Sequence, residues 1–169
     1  MAVYRVLIVG DVGRGKTLLL AKMLKALAAL GVSVTILDFA PEKMGVGAKL
    51  TRYVDVAGVR YLTEVFRAPR LEGRDAGEEL ALARENAERA AALIRQFLAS
   101  PTPVLAVNDL TIYLHAGDPA LVEEAIDAAD VFIATAYYGS ALRDKGSGIS
   151  GRERRAVEEL MKRCDVFRL

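Results

Sequence analysis

The stretch Gly10-Asp11-Val12-Gly13-Arg14-Gly15-Lys16-Thr17 decides how this chain reads. It matches G-x-x-x-x-G-K-[ST] at every fixed position. Its glycines let the backbone curl until several N–H groups point into one concavity, and a helix start adds its positive dipole end. In such a loop the lysine reaches outer phosphates and the hydroxyl ligates Mg²⁺. The flanks agree with this reading. Residues 4–9 are apolar and end at Gly10, which predicts a buried strand. Residues 16–30 are rich in Leu and Ala up to Gly31, which predicts a helix.

Outward from there, strands and helices alternate. Residues 33–39 are β-branched and apolar and predict a second strand. Residues 40–58 hold Pro41, Gly45, Gly47 and Gly58 and predict a loop with one short helix. Residues 59–66 predict a third strand, interrupted at Pro69. Asp75 and Glu78 form a capping-box start to a long helix reaching Ala99. Residues 103–107 predict a strand. Asp118-Pro119 opens a helix to Ala129. Residues 131–136 predict another strand. Ser150 with Glu153 predicts a capped helix to Arg163, and residues 166–169 a last strand. The expected fold is α/β: a three-layer αβα sandwich on a mostly parallel sheet of five to six strands, one domain over 1–169.

Composition bounds the rest. The 169 residues are 53% hydrophobic and 27% charged, which excludes wholesale disorder. Net charge +1 does not suggest a chain built to coat nucleic acid or anionic membrane, and leaves room for a local patch. No run approaches the roughly 20 apolar residues of a membrane span. The start Met1-Ala2-Val3-Tyr4-Arg5 runs directly into the first strand, so a cytoplasmic protein without a signal peptide is expected. The one cysteine, Cys164, excludes an internal disulfide or cysteine-based metal cluster. Scarcity of Asn, Gln and Cys is a thermophile tendency, and Arg- and Ala-rich coding bias is the competing cause.

The 10–17 loop and the alternation resemble the P-loop NTPase superfamily, which implies nucleoside triphosphate and Mg²⁺ as ligands. Residues 104–109, Val-Leu-Ala-Val-Asn-Asp, resemble a Walker B strand with Asn108 in the first acidic slot and Asp109 in the second. Asp109 there is either Mg²⁺-related or catalytic, or a turn residue into Leu110. Asp38-Phe39-Ala40-Pro41 is similar to the Asp-x-Asp-Pro segment of the SIMIBI class, which includes ParA-like ATPases, dethiobiotin synthetase and the molybdopterin-guanine dinucleotide B protein. That resemblance implies that Asp38 positions Mg²⁺ or the attacking water; the bland alternative is a strand-end cap. Ala40 replaces the second Asp. Asp11 stands where ParA-like loops carry an extra lysine, which argues against a dimer with an intermolecular lysine. The order of elements also resembles ATP-using corrinoid adenosyltransferases, without their fuller Gly-Lys repeat, and an archaeal branch near these families is expected.

Candidate catalytic residues are therefore Lys16, Asp38 and Asp109, and candidate Mg²⁺ ligands are Thr17, Asp38 and Asp109. Candidate nucleotide contacts are Gly10, Asp11, Val12, Gly13, Arg14, Gly15, Lys16, Thr17 and Leu18, with Tyr137. Tyr137-Tyr138 either stack on a base or pack their own loop. The absence of Asn-Lys-x-Asp after the late strand favours ATP over GTP. Arg143, Lys145, Arg152, Arg154 and Arg155 around Gly146 and Gly148 read either as a basic lid or as solvated charge. Residues 44–50 have the glycines of a switch loop. Arg67, Arg70 and Arg74 read either as an anion site for a second substrate or as a solvated loop. His115 lines the site or is structural. Function reads as Mg²⁺-dependent hydrolysis or phosphoryl transfer. The alternatives are a nucleotide-gated switch or assembly protein, or a small-molecule kinase or adenosyltransferase. Partners beyond the nucleotide are a small acceptor, a protein, or a second copy of the chain.

Overall fold

The computed structural model describes residues 3–169. Met1 and Ala2, the start of the segment on which the absence of a signal peptide was argued, lie outside the described residues. Six strands form one sheet: β1 (Tyr4–Gly10), β2 (Val34–Asp38), β3 (Arg60–Thr63), β4 (Val104–Asn108), β5 (Val131–Tyr137) and β6 (Asp165–Arg168). Their order is β3-β2-β4-β5-β1-β6, and every pair is parallel.

The layers follow from the direction of travel. From β1 to β2 to β3 the chain moves one way across the sheet; from β3 through β4 and β5 to β6 it moves the other way. Right-handed crossovers then put the connections of the two halves on opposite faces. Helix α1 (Lys16–Ala29) and a 3₁₀ turn, Leu50–Arg52, take the first face. Leu20, Leu24 and Leu50 pack there on Ile8, Ile36, Ala106 and Ile133. The other face carries α2 (Pro69–Glu72), α3 (Ala76–Ala99), α4 (Thr111–Leu114), α5 (Pro119–Asp127) and α6 (Ile149–Met161). Phe97, Ile126 and Val157 pack there on Leu7, Leu37, Leu105 and Phe132. Ile8 faces one layer and Leu7 the other, the period-two alternation of a sheet buried on both sides. This is an α/β sandwich on a six-stranded, all-parallel sheet.

Boundaries differ from the sequence reading in several places, and the third strand is shorter than expected, Arg60–Thr63. Short helices α2 and α4 fall where a loop was expected, because four residues carry too little periodicity to read. Helix α6 begins two residues earlier, capped by the left-handed Gly148 (φ 82°), and Ser150 is not its cap. The expected partner in that box, Glu153, turns inward and is 3% exposed.

Parallel pairing aligns the strand ends. Asp38 sits beside Asn108, and Gly10 beside Tyr137. The carboxyl edge of the sheet therefore gathers the 10–17 loop and the ends of β2, β4 and β5, where ligands bind in open sheets of this kind. Phe97 on α3 is fully buried against this sheet. Phe97→Ala should cost about 3–5 kcal/mol, read as a lower urea midpoint at unchanged slope. A cost under ~1 kcal/mol would contradict the packing of α3.

Candidate functional site

The 10–17 loop turns tightly because its glycines take left-handed conformations: Gly13 at φ 72° and Gly15 at φ 85°. Gly15 is the N-cap of α1 and no side chain satisfies the first N–H groups of that helix, nor does an acidic residue stand in its first turn. A 14-residue helix thus presents its amino end bare, the arrangement that receives an anion. Lys16 curls back so that its Nζ donates to the Asp11 carbonyl (2.6 Å). Burial pulls the lysine below its ordinary range, while Asp109 and Asp11 push the other way. Residues 12–18 wall a cavity of about 350 Å³, together with Pro41, residues 45–48, residues 68–71, Asp109, His115, Thr135, Tyr137 and Leu142.

The Asp11 side chain joins two loops. Its Oδ2 accepts from the backbone N–H of Ser140 (3.0 Å) and Ala141, and its Oδ1 from Val12. These bonds, the one from Ser140 foremost, hold the carboxyl below its usual range. A Cβ at position 139 would land on this carboxyl, so only glycine lets the two loops meet.

Asn108 is the hub of the strand ends. Its Oδ1 accepts from the hydroxyls of Thr17 (3.1 Å) and Thr135 (3.0 Å). Its Nδ2 donates to Asp38 Oδ1 (2.9 Å) and to the Ala48 carbonyl (2.8 Å). All four amide positions are used, so the neutral side chain is required. A carboxylate here would face Asp38 with no donor between them. Sequence placed this residue in the first acidic slot of the Walker B segment without naming it a site residue, and it is the one bonded to Thr17.

Asp38, expected at the metal, is fully buried. Its two oxygens accept from Ala40 N–H, Asn108 Nδ2, Leu50 N–H (2.7 Å) and the Tyr61 hydroxyl (2.6 Å). Four donors leave no lone pair facing the cavity. Its bonds tie the 48–50 segment to the sheet. Two carboxyl side chains do line the cavity, those of Glu42 and Asp109, and Asp109 is the one at the strand ends. Its backbone is left-handed, φ 58°, which turns the side chain off the strand end. Its N–H donates to Thr135 Oγ1 (2.7 Å), and its Oδ1 accepts from Thr111 Oγ1 (3.0 Å). Desolvation raises this carboxyl above its ordinary value against the pull of Thr111 and Lys16.

The remaining candidates separate. The Tyr137 hydroxyl accepts from Leu142 N–H (2.9 Å), and the Arg70 guanidinium lies 5.1 Å from its ring centre. Tyr137 also lines the cavity. The Tyr138 hydroxyl donates to Glu158, and Arg154 covers its ring. The 139–149 loop is fastened: Lys145 N–H and Ser147 Oγ both donate to Glu79 Oε2 (2.8 Å), and Lys145 Nζ to the Arg70 carbonyl. Its basic residues therefore do not form a free flap. The arginine cluster disperses into pairs, Arg67 with Glu72, Arg74 with Glu78 and Arg70 with Glu153. His115, by contrast, sits in the cavity wall with Glu153 2.5 Å from its Nε2. Arg70, His115 and Glu153 are 38 to 83 residues apart in sequence, and only a buried, charge-paired histidine could have hinted at the grouping.

No protein-family model matches the chain, and no curated protein matches it in sequence. Among solved structures it is similar to the flagellar accessory protein FlaH from Methanocaldococcus jannaschii. The TM-score is 0.55 at 9% identity, over 98% of this chain and 72% of that one. At that identity the likeness concerns the fold, and the fold is P-loop NTPase-like.

The donor set suits Mg²⁺ and a nucleotide. Thr17 and Asp109 offer hard oxygen atoms in one cavity, and Mg²⁺ commonly takes one or two protein oxygens and fills the rest with phosphate and water. Among the described residues no group of three or more His, Cys, Asp or Glu could hold a metal alone.

Asp109 makes a stability prediction. Its carboxyl is raised in the fold, so the protonated form is favoured and ionisation costs stability as pH climbs from the unfolded value, 3.8, through the raised folded one. Asn keeps the shape and tolerates the left-handed backbone. Asp109→Asn should therefore match the parent below pH ~4 and melt higher at pH 7, with the gap opening between. Equal melting temperatures at pH 7 would contradict the desolvated placement.

Proposed function

We propose that the chain binds a nucleoside triphosphate with Mg²⁺ and cleaves its γ-phosphoryl group, by hydrolysis or by transfer to an acceptor. The observation that carries this is the bare amino end of α1 in one cavity with Lys16 and Thr17. The backbone N–H groups of residues 13–17 would receive the β-phosphate. Lys16 Nζ would exchange the Asp11 carbonyl for phosphate oxygens. Thr17 would keep donating to Asn108 while its lone pairs face the cation. Asp109 would sit beside the outer phosphate, and Asp38 would hold the 48–50 wall in place through its four donors. Mg²⁺ bound there would neutralise charge on the phosphate oxygens.

ATP fits better than GTP. Guanine readers present a free carboxylate after the late strand. Here the carboxylates of that region are engaged, Asp11 by Ser140 and Ala141, and Asp144 by Gly146 and Ser150.

A second reading is a nucleotide-gated switch. It rests on the 41–48 wall, where Glu42 and Met44 both stand at φ 51° and Gly45 and Gly47 at φ 76°. Non-glycine residues in this region cost about 1–3 kcal/mol each, so a phosphate could tip the loop between two arrangements. Such a protein would turn over slowly and engage a partner through this loop. Among the described residues no helix is long and apolar enough to cross a membrane.

Titration with fluorescent ATP and GTP analogues, with and without Mg²⁺, tests the proposal. ATP should bind more tightly than GTP and need Mg²⁺. Lys16→Ala should weaken ATP about 10–100-fold, the equivalent of the ~1.5–3 kcal/mol of a hydrogen bond to a charged group. Equal binding by Lys16→Ala, or none by either nucleotide, would overturn it.

A further inference from the structure

The Arg70–Glu153–His115 group is buried, and a structural role alone leaves one of its atoms unexplained. Arg70 Nη1 donates to Glu153 Oε1 and Nη2 to Oε2, both at 3.0 Å. Glu153 Oε2 also lies 2.5 Å from His115 Nε2. The carboxyl is held below its ordinary range: His115 and Arg70 outweigh the opposing pull of burial. A carboxylate can only accept, so His115 Nε2 must be the donor of that bond. The other ring nitrogen, Nδ1, is buried and has no partner. His115 is 2% exposed and is one of the residues that wall the cavity of residues 12–18. A carboxylate that fixes one imidazole nitrogen and leaves the other free is the arrangement that makes histidine a proton acceptor.

Position and neighbours narrow what it would accept from. Lys16, Thr17 and Asp109 share the cavity with His115, and an attacking group would have to stand in that cavity. Arg70 is consumed by Glu153, Ser150 and the face of Tyr137. It cannot also grip an anionic acceptor. The cavity wall also holds the apolar residues Ala68, Pro69, Leu71 and Ile112, which suit an uncharged molecule.

We infer that His115 is the general base for an uncharged hydroxyl nucleophile, water or a small alcohol, in γ-phosphoryl cleavage, and that Glu153 and Arg70 are its positioning residues. The inference rests on the nucleotide reading above. In the step, the nucleophile's oxygen bonds to the γ-phosphorus as the bond from that phosphorus to the β–γ bridging oxygen breaks. The electron pair of the broken bond leaves with the nucleoside diphosphate. The hydroxyl proton passes to Nδ1 and then to solvent. The products are the diphosphate and either inorganic phosphate or a phosphate monoester.

His115 is the one histidine in the chain, so a ¹⁵N imidazole spectrum reads it without assignment. In the free protein Nδ1 should be pyridine-type and Nε2 pyrrole-type, and MgADP with aluminium fluoride should shift Nδ1. Glu153→Gln should populate the other tautomer, an effect that loss of packing alone would not give. In single-turnover cleavage of MgATP, His115→Gln should slow the reaction about 100-fold or more with ATP affinity within about twofold. ³¹P spectra of products formed in glycerol–water distinguish the two nucleophiles: inorganic phosphate alone means water, glycerol phosphate means an alcohol is admitted. A pyrrole-type Nδ1, or a His115→Gln rate within threefold of the parent, overturns the inference while leaving nucleotide binding intact. If the parent binds nucleotide but cleaves none, the response of Nδ1 to aluminium fluoride decides, and an unmoved Nδ1 overturns it. If no nucleotide binds, both readings fall.

Discussion

The side-chain amide of Asn108 is the interaction on which the rest of this site depends. It stands at the end of β4 and joins four segments at once: α1 through Thr17, β5 through Thr135, β2 through Asp38, and the 41–48 wall through the Ala48 carbonyl. Each of its bonds is buried or partly so, where an unmade hydrogen bond costs about 1–3 kcal/mol. The network has a direction. Thr135 takes the Asp109 N–H and gives its own proton to Asn108, which gives one amide proton to Asp38. Asp38 then takes Leu50 and Tyr61 as well. A neutral hub with a buried carboxylate behind it thus fixes where Thr17 points before any ligand arrives.

A second set of polar contacts fastens the opposite rim. Asp11 holds the 139–141 segment, Glu79 holds Lys145 and Ser147, and Arg70 joins α2 to α6 through Glu153. The left-handed turns at Gly13, Gly15 and Asp109 are sustained between these two frames. Strained backbone persists where its surroundings over-determine it, and such positions gather at functional sites. The cavity is rigid along the phosphate loop and strained along residues 42–47, a division that serves either rapid chemistry or a gated response.

Sequence made the architecture legible because the signals there are local. Alternating strand and helix patterns, Asp75 and Asp118 as caps, and the glycine-lysine-threonine loop each occupy a few neighbouring residues. The direction of the crossovers then fixed the layers. The side-chain network was not legible, because its partners are far apart: Asn108 meets Thr17 across 91 residues, and Arg70 meets Glu153 across 83. Glu153 looked like half of a capping box because Ser150 precedes it by three, and burial rather than capping decided its role. Arg67, Arg70 and Arg74 looked like one basic patch because sequence shows charge and not its partner. Asp38 and Asp109 both looked like metal carboxylates. Only the count of donors around each separates the one that is satisfied from the one that faces the cavity.

The most direct test of this account is a crystal structure of the chain with Mg²⁺ and a non-hydrolysable ATP analogue. The account places the β-phosphate on the N–H groups of residues 13–17, moves Lys16 Nζ off the Asp11 carbonyl onto phosphate oxygens, and keeps Thr17 bonded to Asn108. Phosphates bound elsewhere, or a Lys16 still bonded to Asp11 beside a bound nucleotide, would contradict it.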